Sequence, residues 1–133
     1  MSFLLDTNIC SAHITRPSGL AHRFIQHLGR LNISTIVLGE LYVWAYQRPN
    51  PEKLLRAIEN ELLQDIVTIK FDESCALTFG KVRGSLLRNG ISVSALDMQI
   101  ASVALTHDLT LVTHNTSHFV RIPCLRLEDW LVQ

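Results

Sequence analysis

Phe3-Leu4-Leu5-Asp6-Thr7-Asn8 is an apolar run that stops abruptly on three polar residues. It reads as a buried strand, roughly residues 2–6, that delivers a carboxylate to the edge of a sheet. Asp6 is the only charged side chain before Arg16. Two other carboxylates share its isolation. Glu40 is the only charge between Arg30 and Arg48, and Asp97 the only one between Arg88 and Asp108. An ionised carboxylate in apolar surroundings is costly unless a cation or hydrogen-bond donors compensate it. Three such groups call for a shared compensator, and a divalent metal meets that need most simply.

Outward from this strand, short apolar runs alternate with helical periodicities. Thr7 to Ile14 opens a helix that Arg16-Pro17-Ser18-Gly19 interrupts. Leu20, Phe24, Ile25 and Leu28 recur at helical spacing, with Gly29 as the stop. Leu31 to Ile36 reads as a second strand, followed by a helix carrying Glu40 that Pro49 and Pro51 break. Pro51 to Leu63 is helical, with Leu54, Leu55, Ile58, Leu62 and Leu63 on one side, and Ile66 to Phe71 alternates as a strand. Glu73 to Leu87 is helical through Ala76, Leu77, Phe79, Val82 and Leu86, and Asn89-Gly90 ends it. Ser94 to Thr106 is a helix, Leu109 to Thr113 a short buried strand, and Leu125 and Leu127 mark an edge strand. Strands alternating with helices predict an α/β fold with a mainly parallel central sheet between two helical layers. Ligands in such sheets bind beyond the carboxyl ends of the strands. Asp6 and Thr113 both fall at strand ends, so the loops after those strands are expected to meet.

Bulk composition narrows the class. The chain has 133 residues, 47% hydrophobic and 18% charged, which is enough for one globular domain over residues 1–133. Neither a membrane-spanning run nor a signal peptide is expected. Cys10, Cys75 and Cys124 are odd in number and widely spaced, so they read as reduced thiols of a cytoplasmic protein. Zero net charge argues against nucleic-acid binding through bulk charge. The charge is nonetheless uneven: residues 1–56 carry +3, residues 57–73 carry −4 and residues 81–126 carry +3. Arg outnumbers Lys nine to three, which suits forked phosphate contacts as well as an ordinary solvated surface.

Each carboxylate also has a purely structural reading. Asp6-Thr7-Asn8 is a good helix N-cap cluster. Ser94-Ala95-Leu96-Asp97 fits a capping box, in which Asp97 gives its carboxylate to the helix start. Glu40 has no partner three or four residues away, so it is either a solvent-facing glutamate or part of a site. Oxygen ligands without clustered Cys or His favour Mg²⁺ or Mn²⁺ over zinc, and such ions serve in-line hydrolysis of phosphodiesters. His114 and His118 are spaced four apart, but they lie in what reads as a loop without an HExxH pattern, and they are not read as a zinc site. His13, His22, His27 and His107 read as surface or helix-end residues.

Several stretches, taken in order, resemble the PIN-domain family, specifically the VapC toxins of toxin–antitoxin pairs. They are Leu4-Leu5-Asp6-Thr7-Asn8-Ile9, Ser34-Thr35-Ile36-Val37-Leu38-Gly39-Glu40-Leu41, Leu96-Asp97-Met98-Gln99-Ile100-Ala101, Leu111 through Phe119, and Leu125-Arg126-Leu127-Glu128-Asp129-Trp130. The resemblance implies a three-layer α/β/α sandwich and a Mg²⁺-dependent endoribonuclease that uses an activated water. It implies that Asp6, Glu40 and Asp97 are the acidic cluster. Asp6 and Asp97 would hold the metal most directly, while Glu40 would bind it directly or through water and help orient or deprotonate the attacking water. Thr7 and Asn115 would position water or phosphate. His118 stands where the family often has a fourth acid, which makes it a candidate phosphate contact. The resemblance further implies an RNA substrate, a VapB-like antitoxin and a homodimer. Leu41-Tyr42-Val43-Trp44-Ala45-Tyr46, with the 54–63 helix, is expected to form part of a partner surface as well as core. The alternatives are a catalytically degenerate PIN domain that binds nucleic acid or regulates with its antitoxin, and a DNase of similar fold.

Overall fold

The computed structural model describes residues 1–16 and 19–131, so Pro17 and Ser18, in the predicted interruption, lie outside the described residues. Among the described residues, five strands form one sheet: β1 (Phe3–Leu5), β2 (Leu31–Ser34), β3 (Val67–Ile69), β4 (Thr110–Val112) and β5 (Leu127–Glu128). Their order is β3-β2-β1-β4-β5, and every pairing is parallel. β1 is therefore the central strand. Its three side chains are all buried, as expected of a parallel strand covered on both faces.

Helices fill the connections: α1 (Thr7–Thr15) and α2 (Ala21–Gln26); α3 (Thr35–Tyr46) and α4 (Glu52–Ala57); α5 (Glu73–Arg88) and α6 (Ala95–Thr106); and the single turn α7 (Thr116–Phe119). α4 runs on as a π-helical stretch, Ile58–Leu63, whose Ile58 and Leu62 are fully buried. Going out from β1 through β2 to β3 and then back across to β4 reverses the direction of travel. Right-handed crossovers then place α1–α4 on one face and α5–α6 on the other. Within each layer α1 packs on α3 and on the π-helical stretch, and α5 packs on α6, while α3 and α6 also touch each other.

Element boundaries follow local capping. The second strand stops at Ser34 rather than Ile36, because the Ser34 hydroxyl accepts the Val37 amide at 3.0 Å and starts α3. Asp72 caps α5 through the Cys75 amide at 3.1 Å. Gly29 (φ +85°) and Gly90 (φ +73°) adopt the left-handed backbone at the turns after α2 and α5. Two apolar faces differ from the periodic reading. On α2, Phe24 is buried but Ile25 and Leu28 are 75% and 61% exposed: Ile25 stands about 100° round the helix from Phe24, and Leu28 lies beyond the helix end at Gln26. On α5, Phe79, Val82 and Leu86 pack on the core as the periodicity predicts, but in the first turns Cys75 takes the buried position and Ala76 and Leu77 face out.

The three cysteines are free thiols, two of them buried. Among the described residues, no helix is long and apolar enough to cross a membrane. Tyr42, Val43 and Tyr46 are exposed on α3, whereas Leu41 and Ala45 are buried, so this stretch serves the core with one face and solvent with the other.

His13 is not a plain surface residue. Its ring stacks on Phe24 with centroids 3.7 Å apart, and its Nδ1 is buried without a partner among the described residues. Burial pushes its pKa below the usual 6.5, partly offset by Glu61. The unfolded chain therefore binds the proton more readily, and stability is lost as the pH falls from about 6.5 through the folded-state value. Relative to wild type, His13→Phe is expected to show a smaller drop in urea midpoint between about pH 7 and 5. An identical drop in both proteins would contradict this.

Candidate active site

The strand order reverses between β1 and β4, and the residues that follow these two strands meet there, as the sequence predicts. Asp6 follows β1 and caps α1, its Oδ1 accepting the Thr7 amide at 2.8 Å. Thr113 follows β4, and its buried hydroxyl donates to Asp6 Oδ2 at 2.7 Å. That bond joins residues 107 positions apart in the chain. The Thr113 oxygen in turn accepts the Asn115 amide at 3.0 Å, and Asn8 Oδ1 accepts the His114 amide at 3.1 Å. Both loops are thus tied down around Asp6.

Glu40 arrives from the second turn of α3. It is not solvent-facing: Thr7 Oγ1 donates to Glu40 Oε1 at 2.6 Å. Asp97 lies in the first turn of α6, where Ser94 Oγ accepts its amide at 3.1 Å. Only this half of the expected capping box forms. The Asp97 carboxylate turns instead toward His118, with Oδ2 3.5 Å from Nδ1. Asp6, Thr7, Asn8, Ser11, Glu40, Asp97 and Asn115 together line one cleft of about 290 Å³. His118 lies outside that lining, in a neighbouring cleft that shares Asp97.

The electrostatics are those of a site short of positive charge. Burial pushes the Asp6 carboxyl above the usual carboxylate range and Asp97 adds to this, while the Thr113 hydroxyl and Thr7 amide pull it back. Glu40 is raised too, first by burial and then by Asp6 and Asp97, against the Thr7 hydrogen bond. Among the described residues, neither Asp6 nor Glu40 has a Lys, Arg or His ion partner. The Cys10 thiol is fully buried, and burial together with Asp6 pushes its pKa far up, so it is a packing group and no nucleophile.

The donor set is all oxygen, which fits a hard divalent cation. No three Asp, Glu, His or Cys side chains among the described residues already converge as a metal cluster. Each carboxylate is engaged by a neighbour: Asp6 by Thr7 and Thr113, Glu40 by Thr7, Asp97 by His118. The fit is therefore that of an ion held by one or two carboxylates, with water completing its shell, as Mg²⁺ prefers.

The histidine pair divides. His118 sits on α7, a helical turn rather than the expected loop, while His114 Nδ1 pairs with Asp129 Oδ2 at 2.9 Å. The two rings thus face different carboxylates, Asp129 and Asp97. Sequence reasoning brought Thr113 and Asp6 to adjoining strand ends but missed the bond between them, and it missed Asn8 and Ser11 as lining residues. The Asn8 and Thr113 positions, each just past a strand end, were the available signal.

A five-stranded parallel sheet covered by helices, with acidic side chains at its switch point, defines the class. The chain belongs to the PIN-domain family, whose model matches residues 3–123. PIN-domain ribonucleases are in general dependent on a divalent metal. The chain is 37% identical to the tRNA(fMet)-specific endonuclease VapC of Shigella flexneri, over 98% of each chain. It is 32% identical to the ribonuclease VapC2 of Haemophilus influenzae strain Rd, over 98% of this chain and 99% of that one. Among solved structures, the DNA-bound VapBC of Salmonella typhimurium superposes with a TM-score of 0.91 at 35% identity, covering 98% of both chains. VapBC-1 of nontypeable Haemophilus influenzae does so with a TM-score of 0.87 at 35% identity, covering 99% of this chain and all of that one.

Proposed function

We propose that this protein is the toxin of a toxin–antitoxin pair, an endoribonuclease that hydrolyses RNA phosphodiester bonds with Mg²⁺, for which Mn²⁺ can substitute. The observation that carries the reading is the convergence of Asp6, Glu40 and Asp97, from three distant parts of the chain, on one cleft. Likeness to relatives named as VapC ribonucleases supports the reaction, and likeness to VapBC complexes supports a VapB-like antitoxin as partner. The tRNA(fMet) specificity in the name of the Shigella relative makes a structured tRNA the first substrate to try. We read the whole chain as one domain, acting in the cytoplasm as a homodimer.

Asp6 and Asp97 would hold the ion, with Glu40 completing the set directly or through water. When bound, the ion supplies Lewis-acid activation of water and neutralises charge on the attacked phosphate. The chain's own residues do the rest. Thr7 holds Glu40 in the lining of the cleft, where its carboxylate is placed to take a proton from the attacking water. Thr113 and the Thr7 amide fix both oxygens of Asp6. The Asn115 side chain borders the same cleft and is placed to orient water or a phosphate oxygen, and His118 flanks Asp97.

The test is incubation of a total RNA pool and a DNA of matched length with the purified protein in Mg²⁺, and again after EDTA. Cleavage of RNA that EDTA abolishes is the expected result. RNA binding with no metal-dependent cleavage would select the degenerate, non-enzymatic reading, and cleavage of DNA alone would select a DNase.

A further inference from the structure

Beyond the acidic cleft, across Asp97, lies a second cleft of about 310 Å³ lined by Ser92, Val93, Ser94, Asp97, Ser117, His118 and Arg121. Its chemistry is opposite to that of the first. Where the first presents three carboxylates, this one presents a guanidinium, an imidazole and three serine residues. Its one carboxylate, Asp97, has the His118 ring against it at 3.5 Å. Arg121 is exposed and forms no ion pair among the described residues, whereas Arg126, also exposed, is bound to Asp108 at 2.9 Å. A free arginine with serine and imidazole donors around it, at a cleft that adjoins a site for phosphodiester chemistry, is placed to take a phosphate through its forked donors.

We propose that this second cleft is a backbone-phosphate subsite. It would hold an RNA phosphate next to the scissile one, with Arg121 as the principal contact and His118 and the serine hydroxyls as further donors. Asp97 is then the partition between the two sites, serving the acidic cleft on one side and held by His118 on the other. Because the contact is to backbone rather than base, it positions the strand without selecting sequence. The inference rests on the ribonuclease reading for its occupant, but it is read out by binding alone.

Binding of labelled single-stranded RNAs of several sequences is measured in EDTA over a series of salt concentrations. Arg121→Gln is expected to weaken all of them about ten-fold and to flatten the slope of log affinity against log salt by about 0.7, the increment for one phosphate on a single strand. Arg121→Lys keeps the charge and is expected to preserve the slope while still losing affinity, because it lacks the fork. In cleavage assays Arg121→Gln is expected to raise KM with a much smaller change in kcat. Thermal melts confirm that the variants fold, and Arg121→Lys carries the test if Arg121→Gln does not. Arg56→Gln, on the surface of α4, is the control for bulk charge.

Wild-type slope and affinity in folded Arg121→Gln would overturn the proposal, as would an equal flattening in Arg56→Gln. Loss of an antitoxin by Arg121→Gln with RNA binding intact would also overturn it, assigning the cleft to a protein partner. A wild-type protein that never cleaves RNA would sink the ribonuclease reading and leave the binding result to decide the subsite.

Discussion

Asp6→Asn is expected to lower metal-dependent RNA cleavage by at least about 10²–10³-fold, the scale of losing one preorganised electrostatic contact at a reacting centre. It is expected to do so without unfolding the protein. Asn is as good an N-cap as Asp, so the start of α1 is kept. The amide can still accept from Thr7 and, with the Thr113 hydroxyl rotated, donate to it. In the folded protein the Asp6 carboxyl is held above its usual 3.8 by burial. At neutral pH the wild-type charge therefore lowers stability, and the neutral amide removes that penalty. The melting temperature without metal should be unchanged or slightly raised. Mg²⁺ should separate the two proteins further. At about 100 times its dissociation constant it stabilises a protein that binds it by about 2.7 kcal/mol, and the variant should gain far less. A folded Asp6→Asn protein that cleaves RNA at the wild-type rate would remove Asp6 from the site.

Phe119→Ala is expected to cost about 3–5 kcal/mol, the range for truncating a buried aromatic ring. Phe119 is fully buried, yet it sits on α7, a helix of only four residues. So short a helix has little stability of its own. This ring is its anchor, and the same turn carries His118 and follows Asn115. Urea unfolding should show the loss as a lower midpoint with a similar slope. The neighbouring Val120 is 69% exposed, and Val120→Ala should stay within about 0.5 kcal/mol of wild type. Equal effects of the two substitutions would mean that α7 is not anchored in this way.

The layered architecture was legible because buried parallel strands leave a simple signature, and Phe3-Leu4-Leu5 and Leu111-Val112 carry it. Asp6 and Thr113 at adjacent strand ends followed from the general geometry of such sheets. What remained hidden depended on contacts distant in sequence. Nothing near Glu40 in the chain shows that Thr7, 33 residues earlier, bonds to it. Nothing near Asp97 shows that His118 would draw its carboxylate away from the capping box. Periodicity also misjudged Ile25, Leu28 and Leu77, since an apolar side chain near a helix end can fit the pattern and still have no neighbour to pack on. His13 was the opposite error: a polar residue made half-buried by an aromatic partner that the local sequence does not reveal.

The position of β1 bears on synthesis. Of the five strands of this sheet, the earliest in the chain is the middle one, and its flanking strand β4 follows only after about a hundred further residues. Asp6 receives its Thr113 bond only then. Until most of the polypeptide has emerged, its acidic groups are scattered along an unfinished chain. At about 5–20 residues per second, a nascent copy of an RNA-cutting enzyme would thus spend nearly all of its translation unable to damage the message and ribosome producing it.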